Sequence, residues 1–497
     1  MVAGVRPPVF LTYTFVIMGC AVIFQWEMLF PDALDISVMA TLPIRLRRLL
    51  TGRIAAMAMF LALVHVGTSG LGCLFLPAVA DQRCGYFRQL LAQVVAVSMS
   101  GVSIVGALIT VQAVLVSLPH GTLAETMRAV VRILSLIALL TLLFLFPLTA
   151  HYLHPLLGTS ISPAAVRWFP PFWFLAIYEC VMWSDRAPSI FHSLAPTGVL
   201  ATATMMAAAV ATYPLGYQRR VRQILEGSMK QSAVKARSSL QVLLHRAVLR
   251  TPKARATAHF AAQTLRRTER LQLYMAMYIG LGIALVLSGV LALQLDGPNV
   301  KVVFSSDGLR MSVPVVAFWA VAGMKTVMLS PIGRRGSWIF RVIDGTPSNE
   351  VFRSGRVLTT CVVIAGTLLS IAVLNALAPR DLIGASMLVT QVLFGCTLPI
   401  ILTEIFFADV RTVPFTGIER RSVHELPFTF IRYFVIFPAF VLTMAAAEGW
   451  TSVSVRNTSL GVIALGAAYL MACSFRMWLG ARLPPKEELT LIGFGAE

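Results

Sequence analysis

Apolar residues in this chain come in long unbroken runs with polar punctuation between them. They do not follow the alternation of a half-buried strand or the narrow stripe of a water-soluble amphipathic helix. Eleven runs approach or exceed the length that crosses a bilayer core as a helix, at 9–26, 54–79, 91–118, 133–150, 197–213, 273–295, 313–329, 357–377, 383–407, 433–447 and 460–478. The pattern predicts an all-α, polytopic transmembrane bundle with five spans before a polar linker and six after it. The stretch "WFPPFWFLAIYECVMW" from Trp168 is too short and too rich in aromatics and proline to be a twelfth span. It reads as an interfacial or re-entrant helix.

Domain boundaries follow from the same pattern. Residues 1–214 form a first transmembrane half and 215–271 a basic linker. Residues 272–480 form a second half, and 481–497 a cytoplasmic tail. Only Arg6 precedes the first run in charge, and no small-residue cleavage site follows it, so 9–26 reads as a retained helix and not a signal peptide. Two equal six-helix halves would place one further helix upstream of it.

Composition strengthens the membrane reading. The chain has 497 residues, of which 57% are hydrophobic and only 13% charged; an ordinary soluble domain carries about twice that share of charge. The net charge of +19 raises the question of nucleic acid, but no zinc-finger, RNP or basic-zipper pattern occurs. Positive-inside bias accounts for it better. With 27–53 placed in the cytoplasm and strict alternation, inner segments hold about thirty of the 41 Lys and Arg, and outer loops fewer than ten. The C-terminus then lies in the cytoplasm. Residues 217–271 alone hold thirteen basic residues against two acidic, a surface suited to anionic lipid or to a cytosolic partner. The seven cysteines form no CxxC pair and sit mostly inside apolar runs, as packing residues.

Two basic elbows stand out. "TLPIRLRRLLTGRIAAM", from Thr41, places Arg45, Arg47, Arg48 and Arg53 within nine positions, and "LSPIGRRGSWIFRVID", from Leu329, places Arg334, Arg335 and Arg341 around Trp338. Pro43 and Pro331 are each followed by Ile; Arg47 and Arg335 each come four residues after the proline, and Arg53 and Arg341 ten after. Each elbow follows a span that enters the cytoplasm and precedes the next. Ahead of the first, Asp32 is placed to cap a short surface helix carrying Ile36, Val38 and Met39 up to the stop at Pro43. Membrane anchoring explains such loops; a docking site for a cytosolic motor explains their pairing. The recurrence predicts a parallel pseudo-repeat of two halves.

Chemistry of other kinds finds little footing. There is no G-x-x-x-x-G-K-[ST] phosphate loop, no HExxH and no GxSxG, so we expect no enzyme activity, no cofactor and no metal site. Intramembrane ionisable groups mark substrate or proton paths when they occur, and His65, Glu179, Lys325 and Glu404 are the candidates. Lys325 and Glu404 fall near the inner ends of their spans, where snorkelling or capping explains them. No pair forms an evident proton relay.

The layout resembles the membrane subunits of ABC-2-type exporters, with two permease halves fused. It is also similar to a group of large bacterial membrane proteins with an acidic stretch leading into an "LPIR" elbow and an "NWIFR"-like second elbow. Those motifs read here "FPDALDISVMATLPIRLRRL", "GSWIFRVIDG" and, at Ala408, "ADVRTVPFTG". The resemblance implies a permease of the inner (plasma) membrane that works with a separate cytosolic ATPase. It implies that 32–48 holds the place of the coupling helix, and that 168–190 corresponds to outer re-entrant helices. The residues for partner coupling are then Arg45, Arg47, Arg48, Arg334, Arg335, Trp338 and Arg341. A secondary transporter, a membrane scaffold or enzyme, and a degenerate permease remnant remain the alternative readings.

Overall fold

The computed structural model describes residues 6–31, 35–36, 46–79, 85–118, 122–157, 169–184, 187–225, 251–296, 299–330, 349–382, 384–410, 415 and 425–482. Each of the eleven expected spans falls on one helix, although the run 273–295 leaves its helix at Val290. In chain order the elements are α1 (Arg6–Phe24), α2 (Trp26–Leu29), α3 (Leu46–Val79), α4 (Tyr86–Ser117), α5 (Thr122–Leu157), α6 (Pro170–Trp183) and α7 (Ser189–Leu225). There follow α8 (Pro252–Arg267), α9 (Glu269–Val290), β1 (Leu291–Asp296), β2 (Asn299–Phe304), α10 (Ser306–Leu329), α11 (Asn349–Leu377), α12 (Ala385–Phe406), α13 (Glu425–Thr451) and α14 (Val455–Arg482).

Ten of the described helices are long and apolar enough to cross a membrane, and α1 adds the shorter apolar stretch Val9–Phe24. Their outer faces confirm the solvent. Leu63, Val66 and Phe75 on α3, Val435 and Leu442 on α13, and Ile463 and Leu470 on α14 are all exposed. In water such a surface would drive aggregation; against acyl chains it is the required one, because each helix satisfies its own backbone. The protein is a multi-pass membrane protein.

The chain divides into two compact units, Met1–Lys235 with Ile283–Val303, and Ala236–Gly282 with Phe304–Glu497. In the first, α1 is central: Leu11, Val16, Val22 and Ile23 are buried, and α1 packs on α3, α4, α5 and α6. Helix α4 packs broadly on α7. Gly106 permits this approach, since a β-carbon there would come within 3.0 Å of the Met205 backbone. In the second unit α10 is central, with Phe318, Trp319 and Met324 fully buried. Phe318 sits among the rings of Phe406, Tyr433, Phe437 and Phe440.

The two units repeat one packing order. The contacts of α1 with α3, α4 and α5, of α4 with α3, α5 and α7, recur as those of α10 with α11, α12 and α13, and of α12 with α11, α13 and α14. Six helix pairs therefore match in sequence order, the arrangement expected of a parallel repeat.

Three details depart from or sharpen the sequence reading. The run expected to span 273–295 ends as a helix at Val290 and turns into a two-stranded ribbon, β1–β2. "LALQLD" and "NVKVVF" alternate in strand fashion around Gly297-Pro298, a pair of strong turn formers. A two-residue link allows only antiparallel pairing. The Trp168 stretch yields α6, of 14 residues, or about 21 Å, too short to span. It is buried against α1, α4 and α7. Within the basic segment, α7 continues unbroken to Leu225, and α8 buries Ala258 and Ala261, with Val357 of α11 packed on Ala258.

Candidate coupling site

The first elbow closes on Arg53, the eighth residue of α3. Helix α1 breaks at Gln25, α2 runs for four residues, and the chain becomes extended at Phe30. A helix that stops this abruptly leaves carbonyl oxygens without intrahelical partners. Side chains from three other helices supply donors. Arg53 Nε donates to the Met28 carbonyl at 2.9 Å and Nη2 to the Phe30 carbonyl at 2.9 Å, while Nη1 lies 3.2 Å from Asp35 Oδ2. Tyr213 of α7 donates its hydroxyl to the Leu29 carbonyl at 2.6 Å, and Gln112 of α4 donates to the Trp26 carbonyl. The ring of Phe30 packs on Tyr213, centroids 5.3 Å apart.

Other arginines at this end do similar work. Arg128, near the start of α5, donates from Nε to the Leu115 carbonyl at 3.0 Å, and Arg219, near the end of α7, donates to the Ser117 carbonyl at 3.2 Å. Cations at helix C-termini satisfy carbonyls and oppose the negative end of the dipole. The basic face of this unit is thus partly consumed inside the fold. Among the described residues, Arg47 and Arg48, both exposed in the first turn of α3, face outward, as does Arg222 near the end of α7.

The second unit is tied differently at the corresponding end. Arg356 is also the eighth residue of its helix, α11, and its Nη1 lies 3.3 Å from Glu404 Oε2 on α12. The same oxygen meets Arg476 of α14 at 3.0 Å. Lys325 of α10 pairs with Asp409 at 2.8 Å. Lys325 and Glu404 therefore lie in side-chain ion pairs near the ends of their helices, where snorkelling or capping is expected.

Of the expected coupling residues, Arg47 and Arg48 stand together on α3. Arg45, Arg334, Arg335, Trp338 and Arg341 lie outside the described residues, as do Asp32, Val38, Met39 and both elbow prolines. Proline spacing aligns Arg53 with Arg341, whereas helix position aligns it with Arg356. The signal that could have found Arg356 is its place as a basic residue inside the first turns of the span after the elbow.

The opposite end of the first unit holds α6. Arg88, at the start of α4, donates to the Val181 carbonyl at 3.0 Å and to Ser184 Oγ at 2.7 Å. Burial pushes the Glu179 carboxyl above its ordinary value, with a hydrogen bond to Trp183 opposing the shift. Burial and the neighbouring Glu179 charge raise the Cys180 thiol. An apolar groove of about 770 Å³ runs between α6 and α7 past Ile177, Val181, Pro196 and Leu200, with His192 on its wall. His65, on α3, is half-buried, with Nε2 3.5 Å from Ser98 Oγ and no partner at Nδ1. The described residues contain no group of three or more His, Cys, Asp or Glu that could hold a metal.

Compared with known proteins, the chain matches no family model, no curated protein and no solved structure.

Proposed function

We propose that this protein is the membrane permease subunit of an ATP-driven exporter of the inner membrane, powered by a separate cytosolic ATPase and hydrolysing no nucleotide itself. The observation that carries the reading is the Arg53 clamp. It joins the segment after α1 to the first turns of α3, so a push on the elbow reaches both helices together. Support comes also from the repeated packing order of the two units, since two similar halves suit two similar motor subunits. The absence of a phosphate loop in the sequence agrees with a motor encoded elsewhere. In this reading Arg47, Arg48 and, on the second elbow, Arg334, Arg335, Trp338 and Arg341 face the ATPase, with the C-terminus on the same side. Short apolar or aromatic faces ringed by arginine form desolvated anchors with charge-assisted rims.

Copurification with a cytosolic ATPase tests the proposal. Simple positive-inside anchoring predicts that Arg47→Lys and Arg335→Lys change nothing, because the charge stays. Bidentate docking predicts that lysine will not substitute. The triple variant Arg47→Lys, Arg335→Lys, Trp338→Ala should insert normally and lose at least about tenfold in ATPase recovery, the equivalent of a side-chain anchor. Undiminished recovery would leave the elbows as membrane anchors.

A further inference from the structure

The elbow end of the second unit pairs its buried charges, whereas the opposite end leaves one carboxyl unpaired. Glu448 lies in the last turn of α13 and is 1% exposed. Neither Oε1 nor Oε2 has a hydrogen-bond partner. The hydroxyl of Thr451 is close in sequence but donates to the Glu448 backbone carbonyl, at 2.9 Å. Thr458 of α14 donates to the Thr451 carbonyl at 2.8 Å. Gln391 of α12 donates to the Leu309 carbonyl at 3.2 Å. The polar donors around this turn are committed to backbone, and none reaches the carboxyl.

One cation faces it. Arg310, in the second turn of α10, lies against the α13 turn that carries Glu448: a β-carbon on Gly449 would stand 3.5 Å from Arg310 Nη1. No hydrogen bond or ion pair joins Arg310 to Glu448. Instead Arg310 Nη1 leans to the exposed Asp307, 3.7 Å away, and Arg310 Nε has no partner. On α12 the carboxyl-bearing residue is Glu404, held at the far end, and on α14 the cation of the adjoining turn, Arg456, is exposed.

An ionised carboxylate with no donor, buried beside apolar helices, is strongly unfavourable, and a group so placed takes up a proton instead. An arginine resting a few ångströms away on a weaker, exposed partner is the natural acceptor of the charge when the proton leaves. We propose that Glu448 is a proton-binding site, neutral in the conformation described here, and that loss of its proton to the nearby solvent draws Arg310 from Asp307 onto the carboxylate. The exchange is balanced: the O–H bond of Glu448 breaks, the proton goes to water, and the new ion pair replaces a solvated one. It pulls the start of α10 against the end of α13, the two elements that meet at this end of the unit. The site is independent of the elbows and of any ATPase, so it stands or falls apart from the export reading.

Infrared spectroscopy of the purified protein in lipid, in H2O and D2O, tests this directly. A carbonyl stretch of a protonated carboxylic acid should be present at neutral pH, shift in D2O, and be missing from Glu448→Gln. It should persist in Glu404→Gln, whose carboxylate is ion-paired; Glu179→Gln identifies any contribution from that second, half-buried acid. The band should bleach reversibly as pH rises. In Arg310→Gln, which leaves Glu448 itself intact, the bleaching midpoint should move up by about one pH unit or more, the usual effect of removing a neighbouring cation. A Glu448→Gln spectrum identical to that of the unaltered protein overturns the proposal. If that variant does not fold, a midpoint unmoved by Arg310→Gln does so equally.

Discussion

Arg53 donates to the Phe30 carbonyl at 2.9 Å across the connection that carries the first elbow. One guanidinium thereby holds the Met28 and Phe30 carbonyls and the Asp35 carboxylate at once. The planar fork of arginine suits this task, because its donors leave one rigid plane in several directions. A lysine ammonium at the same place would reach one carbonyl, or two, with poorer geometry.

Arg53→Lys should therefore destabilise the first unit almost as much as Arg53→Ala. We expect a loss of about 2 kcal/mol for either, given hydrogen bonds from a charged donor to otherwise unsatisfied carbonyls. Asp35→Asn should cost well under 1 kcal/mol, because that carboxylate is 44% exposed. Unfolding of the detergent-solubilised protein reads both. Equal behaviour of Arg53→Lys and the unaltered protein would mean that charge alone matters there.

Glu404 is shared between Arg356 and Arg476, with all three side chains less than a third exposed. Removing the acid leaves two guanidinium groups facing each other, whereas removing one arginine leaves a satisfied pair. Glu404→Gln should thus cost more than either Arg356→Gln or Arg476→Gln, by about 1 kcal/mol or more. Double-variant cycles should show coupling between Glu404 and each arginine. Additive effects would demote the triad to coincidental proximity.

Glu179 carries a carboxyl raised by burial. A raised carboxyl means that the folded state holds the proton more tightly than the unfolded chain. Its contribution to stability is complete below the ordinary carboxylate range and is lost as pH rises through the raised value. Glu179→Gln should leave stability unchanged in acid and increase it at neutral pH. Thermal unfolding measured across that range checks it, and a variant that tracks the unaltered protein at every pH would contradict it.

The charge sorting makes a topological prediction. Single cysteines at positions 45, 235, 334 and 420, on a cysteine-free background, should resist an impermeant reagent applied to intact cells. Those at 380 and 456 should react. Strong outside labelling at 235 would invert the whole arrangement.

Much of this fold was legible from hydropathy alone, for a physical reason. In hydrocarbon every backbone polar group must be bonded within its own segment, so a sufficiently long apolar run has few choices beyond a helix. Runs such as 91–118 and 357–377 needed no knowledge of their neighbours. The basic elbows were equally visible, since charge cannot hide in lipid. Tertiary structure alone decided what the charges do. Arg47 and Arg53 look alike in sequence, but one faces outward and the other is spent on the carbonyls where the chain breaks after α1. Lys325 and Glu404 looked like capping residues and are ion-paired, while Glu448, unremarked at the end of its run, is a buried carboxyl left without a donor. Whether a polar group is satisfied depends on which helices lie beside it. That is fixed by packing between segments far apart in the chain, which no local pattern records.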